Sequence, residues 1–122
     1  MTVPKDQHFL VNEHAIRKIA DIIKPEDRVM LEIGPGRGAL TRALLDRGGS
    51  VNAVEIDSAL IEELELIFSD EIQGGRLTLT HGDAARCALP PFQVVVSNLP
   101  YSASSKITFR LLDIGFEEAV LM

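Results

Sequence analysis

The sequence predicts an α/β fold, a parallel sheet flanked by helices. Three observations predict it. Val29-Met30-Leu31-Glu32-Ile33-Gly34-Pro35-Gly36-Arg37-Gly38 is an apolar run that ends in an acid and a glycine-rich turn, and Leu40, Ala43 and Leu44 follow at helical spacing. Short apolar runs then alternate with amphipathic segments along the chain, the order that makes strands parallel and crossovers right-handed. No repeat and no linker interrupts the 122 residues, so they form one modest domain.

The elements follow in order. Asn12 can cap a helix whose apolar face is Ala15, Ile16, Ile19, Ala20 and Ile23, and Lys24-Pro25-Glu26-Asp27 turns the chain. Arg28 to Ile33 is the first strand, apolar enough to be covered on both faces. Residues 39–47 form a helix that stops at Gly48-Gly49. Val51 to Ile56 is the second strand. Asp57 or Ser58 caps a helix that turns Leu60, Leu64 and Ile67 inward, and Gly74-Gly75 ends it. Arg76 to His81 is a third strand, followed by a loop over 84–91. Phe92 to Ser97 is the fourth. A helix carrying Ile107, Leu111 and Leu112 leads to Gly115, and Glu117 to Met122 reads as a fifth strand. With nothing over that apolar edge, the chain reads as the front part of a longer protein.

Composition narrows the function. Hydrophobic residues make up 46%, so a core is expected, and no apolar run reaches the length of a membrane-spanning helix. The N-terminus lacks the apolar stretch of a secretory signal, and the single Cys87 can form no internal disulfide. These features point to the cytoplasm. The net charge of −6 is uneven: from Ser50 to Gly75 there are seven acids and no Lys or Arg. Such a chain is a poor general clamp for nucleic acid, so a nucleic-acid substrate would need phosphate contacts from elsewhere. His8, His14 and His81 have no metal-ligand spacing, and no metal site is expected.

Ligands of open parallel sheets bind beyond the C-terminal strand ends. Four pieces converge there: Glu32 with the Gly34–Gly38 turn, Glu55, Gly82-Asp83, and Asn98 to Tyr101. Ala39 stands where the dinucleotide fingerprint needs its third glycine, and no G-K-[ST] follows for a P-loop. Glu55, at the end of the second strand, can accept hydrogen bonds from both hydroxyls of a ribose. Asp83 can accept from an adenine amino group or cap the turn that follows it.

The Glu32-x-Gly34-x-Gly36 form resembles the first motif of the S-adenosylmethionine (AdoMet) methyltransferases, whose cofactor is cationic at sulfur and carries no pyrophosphate. The fold this implies is the Rossmann-like AdoMet-dependent methyltransferase fold, ending here after its fifth strand. Asn98-Leu99-Pro100-Tyr101 resembles the motif of methyltransferases that act on an exocyclic amino nitrogen. Such a nitrogen is a weak nucleophile because its lone pair is delocalised into the ring. The Asn98 side-chain carbonyl and the Pro100 backbone carbonyl are two acceptors that can draw its hydrogens out of conjugation, and Tyr101 can stack on a flipped base. The alternative role of these four residues is a proline-stabilised turn with a packed tyrosine.

More closely, the chain resembles the catalytic domain of the ribosomal RNA adenine-N6 dimethyltransferases. The matching pieces are Gln7-His8-Phe9-Leu10, Leu31 to Thr41, Val54-Glu55-Ile56-Asp57, Gly82-Asp83-Ala84 and Ser97 to Tyr101. It departs from that family's pattern at Asp6, Ala103 and Lys106. The resemblance implies transfer of methyl groups from AdoMet to N6 of adjacent adenosines near the 3′ end of small-subunit rRNA, in a pre-ribosomal particle. It implies a cofactor site of Gln7, His8, Leu10, Glu32, Gly34, Gly36, Glu55, Ile56, Asp83, Ala84 and Asn98, with Asn98, Pro100 and Tyr101 at the target base. It also implies further strands and a C-terminal RNA-binding domain beyond residues 1–122, so these 122 residues alone are expected to methylate nothing. Other readings are a non-catalytic AdoMet-binding factor, an adenine methyltransferase for another nucleic acid, and an NAD dehydrogenase, the last disfavoured by Ala39.

Overall fold

Helix α1 runs from Glu13 to Ile23 and buries Ile16, Ala20 and Ile23, the stripe that its apolar spacing dictates. The computed structural model describes residues 13–97 and the strand 118–121. Lys24 and Asp27 take positive φ (53° and 59°) and turn the chain into β1, Val29–Ile33. Helix α2, Ala39–Asp46, follows the glycine turn. It closes with the Gly48 N–H on the Leu45 carbonyl and the Gly49 N–H on the Leu44 carbonyl, and Gly48 has φ of 90°. This is a Schellman end, and it explains the glycine pair.

Strand β2, Ser50–Glu55, leads into α3, Ser58–Ile67. Asp57 caps α3, its side chain accepting from the N–H groups of Ala59 and Leu60. The inward face of α3 differs from the expected one. Ile61 and Leu64 are buried, together with Phe68 at its C-cap, whereas Ile67 is 49% exposed and Leu60 half-buried. Phe68, the bulkiest of these side chains, sets the rotation of the helix. At Phe68 the helix also breaks, and a short α4, Ser69–Gln73, carries the chain to Gly74.

Strands β3, Leu77–His81, β4, Val94–Ser97, and β5, Glu118–Leu121, complete the sheet. The β4 strand starts two residues later than its apolar run suggests, because Gln93 spends its N–H on the Val29 carbonyl and its side-chain carbonyl on the Val29 N–H. All pairings are parallel, in the order β3-β2-β1-β4-β5. The chain therefore steps outward from β1 to β2 and β3, then crosses to the other side of β1 for β4. The strand order reverses between β1 and β4, the kind of place at which open α/β sheets bind ligands beyond the carboxyl ends of their strands.

Alternation along β1 divides the core. Met30 faces α1, α2 and α3, packing with Leu44, Leu64, Phe68, Val94 and Val96. Leu31 and Ile33 face the other way, against Val54, Val95 and the 84–92 segment through Ala84, Leu89 and Phe92. Both faces are covered, which is why the strands are almost wholly apolar. No helix among the described residues is long and apolar enough to cross a membrane.

Candidate functional site

The turn after β1 is built on three glycines with positive φ: 74° at Gly34, 60° at Gly36 and 89° at Gly38. Side chains disfavour that region, so the backbone path requires glycine. The Gly34 N–H donates to the Val54 carbonyl and continues the β1–β2 ladder past the strand end. At Gly38 the reason is packing: a Cβ there would stand 2.5 Å from the Phe68 ring and 3.1 Å from Leu64. The third glycine thus lets α2 seat on α3.

Glu55 ends β2 beside this turn and is only 5% exposed. Its Oε1 accepts from the Gly36 N–H at 3.3 Å, and its Oε2 accepts from the Asp57 N–H at 3.0 Å. The carboxylate is thereby fixed between two backbone donors, at the carboxyl edge of the sheet. A fixed acceptor loses little entropy when a ligand hydroxyl docks on its remaining lone pairs.

Glu32 lies one layer down. It is 3% exposed, on the face of β1 that carries Met30, and accepts a short hydrogen bond from the Thr41 hydroxyl on α2. Burial pushes its carboxyl up to about 7, the Thr41 bond opposes the shift, and the neighbouring Glu55 charge adds to it. The Thr41 bond ties β1 to α2 across the intervening glycine turn.

Asp83 follows β3 and is half-buried. Its Oδ1 accepts from the Ala85 N–H, and its carbonyl accepts from the Arg86 and Cys87 N–H groups. The turn-capping role is therefore real, and it fixes the orientation of the carboxylate. Ala84, next in the chain, is buried against Leu31 and Ile33. Ile56 is 66% exposed although apolar, at the same sheet edge as Glu55. Its carbonyl accepts from His81 Nε2 at 3.0 Å, which ties the end of β3 to the β2–α3 turn. His81 is thus a structural partner of Ile56.

The structure brings together Glu32, Gly34, Gly36, Glu55, Ile56, Asp83 and Ala84 around the ends of β1, β2 and β3. Gln7, His8, Leu10, Asn98, Pro100 and Tyr101 lie outside the described residues. Three supporting residues were not legible as such in the sequence. Thr41 holds Glu32, Asp57 offers its backbone N–H to Glu55, and Phe68 fills the space under Gly38. Thr41 did leave a signal, as a polar residue between inward-facing Leu40 and Leu44 on α2.

The strand order, the glycine turn and the acid ending β2 together define a Rossmann-like AdoMet-dependent methyltransferase fold, and AdoMet is the cofactor of that fold. The family model described as ribosomal RNA adenine dimethylase matches residues 5–122, and the chain belongs to that family. A Methanospirillum hungatei protein described as "Probable ribosomal RNA small subunit methyltransferase A" is 57% identical over 122 residues, which are 100% of this chain and 48% of that one. The crystal structure of a Plasmodium falciparum dimethyladenosine transferase superposes with a TM-score of 0.78 at 34% identity, covering 93% of this chain and 42% of that one. That of the 23S rRNA methyltransferase ErmE also gives 0.78, at 30% identity, covering 93% and 46%. The chain spans about half the length of the curated relatives it matches.

Proposed function

We propose that this chain carries the AdoMet-binding part of an rRNA adenine-N6 dimethyltransferase. It would act on adjacent adenosines near the 3′ end of small-subunit rRNA, in a pre-ribosomal particle in the cytoplasm. The observation that carries the reading is the Glu55 carboxylate, fixed between the Gly36 and Asp57 N–H groups beside the β1–β4 crevice.

The residues present fit AdoMet. Glu55 is an acceptor-only group where ribose hydroxyls would donate. The absence of Lys and Arg between Ser50 and Gly75 suits a cationic ligand. The exposed Ile56 offers an apolar surface for adenine, and Asp83 an acceptor for its amino group. When bound, AdoMet supplies an electrophilic methyl carbon. The protein's part is orientation and electrostatics. From the sequence, Asn98 and Pro100 present the two carbonyls that hold the target amine, and Tyr101 stacks on its base. The methylated amine is a strong acid and sheds its proton to solvent, so no protein base is required.

Calorimetric titration with AdoMet and with NAD tests the cofactor half of this reading. One-site binding of AdoMet alone supports it, and NAD binding instead would remove it. Tritium transfer from AdoMet to small-subunit rRNA by the full-length protein, lost in Asn98→Ala, tests the rest. The likeness to ErmE shows that this half of the fold also occurs in a protein named for 23S rRNA, so both rRNAs belong in that assay.

A further inference from the structure

At the far edge of the sheet from the proposed cofactor crevice, β3 is the terminal strand. The Val51 N–H donates to the Arg76 carbonyl and the Gly82 N–H to the Glu55 carbonyl. Even-numbered residues of this stretch therefore turn their backbone toward β2. By the alternation of a parallel ladder, the N–H and C=O groups of Leu77, Leu79 and His81 face the open edge. No described strand pairs with them. Edge strands are usually blunted by lysine, proline or a bulge. Leu77-Thr78-Leu79-Thr80-His81 contains no lysine or proline, and its register with β2 is unbroken.

Beside this edge lies an open groove of about 450 Å³, walled by Glu65, Ser69, Ile72 and Gln73 from the helices and by Leu77 and Leu79 from the strand. Its apolar floor can take the alternate side chains of an added strand. The two helices that wall it, α3 and α4, are acidic: Glu65 lines the groove itself, and Glu65, Glu62, Glu63 and Asp70 are exposed with no ion-pair partner among the described residues. Arg76, the nearest cation in sequence, is spent on the Leu45 and Gly49 carbonyls.

We propose that the open edge of β3 and its groove bind an extended, lysine- or arginine-rich peptide segment, which adds to the sheet as a further strand. The free backbone groups select a polypeptide, since strand addition needs matching N–H and C=O groups. The four exposed acids select a cationic one and repel RNA phosphate. They also disfavour edge-to-edge pairing with a second copy, which would bring eight like charges together. The side chains that enter the groove come from alternate positions of the added strand, so an apolar residue on that face meets Leu77 and Leu79 and a basic one on the same face meets Glu65.

The test uses a labelled peptide of about six residues in the order lysine-threonine-valine-threonine-lysine-threonine, which puts its lysines and its valine on one face of the strand, read by fluorescence anisotropy at low and moderate salt. Two further peptides serve as controls, one with glutamate for lysine and one N-methylated along one edge so that it cannot pair. The expected result is saturable binding of the lysine peptide alone. Glu65→Lys should weaken it by about tenfold or more, while Glu13→Lys, an equal charge change on α1, should leave it within about twofold. Amide shifts in NMR spectra should fall on Leu77, Leu79 and His81, and circular dichroism should show both variants folded. Equal weakening by the two variants would reduce the effect to net charge and overturn the proposal. So would equal binding of the N-methylated peptide, no binding, or self-association of the chain through β3.

Discussion

The Glu55 carboxylate clamps Gly36: its Oε1 accepts the Gly36 N–H at 3.3 Å while its Oε2 holds the Asp57 N–H at 3.0 Å. One side chain thus joins the turn after β1 to the turn after β2. These two loops flank the crevice, so the residue proposed to hold ribose also shapes the turn beneath it.

That double duty separates two substitutions. Glu55→Ala removes the proposed ribose acceptor and releases both turns. Glu55→Gln keeps the shape and one carbonyl acceptor, yet loses the charge. Charge-assisted bonds contribute about 1.5–3 kcal/mol, so Glu55→Gln should weaken AdoMet roughly 10- to 100-fold. Its NH2 replaces one of the two accepting oxygens, so either the Gly36 or the Asp57 N–H loses its acceptor and the variant should melt somewhat lower than the parent. Glu55→Ala should lose comparable affinity and melt lower still. Calorimetry and thermal denaturation of both variants check this, and unchanged affinity in Glu55→Gln would remove Glu55 from the site.

Gly38→Ala should destabilise the fold without touching the ligand side. The added Cβ meets the Phe68 ring at 2.5 Å, and alanine must hold φ of 89°. Left-handed strain costs about 1–2 kcal/mol and overpacking about 1–3 kcal/mol, so a loss of roughly 2–5 kcal/mol is expected in urea denaturation. Phe68→Leu in the same chain should recover the packing part. A Gly38→Ala protein as stable as the parent would show that α2 shifts freely away from α3.

Much of this was legible beforehand, for local reasons. The turn from Gly34 to Gly38, the Gly48-Gly49 stop and the Asp57 cap are set by backbone chemistry within a few residues, and each lies where the sequence put it. That the strands run parallel follows from the alternation of strands and helices, whereas their order around β1 does not. The rotation of α3 was not legible. Leu60, Ile61, Leu64, Leu66, Ile67 and Phe68 offer several apolar stripes, and the choice falls to the fit of Phe68 under Gly38, a contact 30 residues away in sequence. The buried seat of Glu32 was hidden for the same reason: nothing near it in the chain announces that Thr41 will meet it from the next helix.

Asp57 offers a control on the clamp. Its side chain caps α3 through Ala59 and Leu60 at 2.9 and 3.4 Å, whereas Glu55 uses only its backbone N–H. Asp57→Ala should therefore cost about 1 kcal/mol of stability in urea denaturation and leave AdoMet affinity within about twofold. A collapse of affinity in this variant would show that the cap, rather than Glu55, governs the crevice.

The last prediction concerns Glu32, whose carboxyl is raised by burial from the ordinary 4.5 to about 7. Between those values the folded chain binds more protons than the unfolded one, so stability falls as pH rises. The contribution is fully present below about 4.5 and is lost by the time the pH has passed about 7. At about 1.36 kcal/mol per unit, the gap corresponds to roughly 3 kcal/mol. Glu32→Gln keeps an acceptor for Thr41 and cannot ionise. Urea denaturation of parent and variant from pH 5 to pH 8 isolates the residue, because other titrating groups cancel in the difference. The variant should gain on the parent steadily across that range and level off above pH 7.5. A difference that stays flat, or that changes in the parent's favour as pH rises, would mean that Glu32 is ionised in the folded chain throughout and that Thr41 and nearby backbone dipoles outweigh its burial.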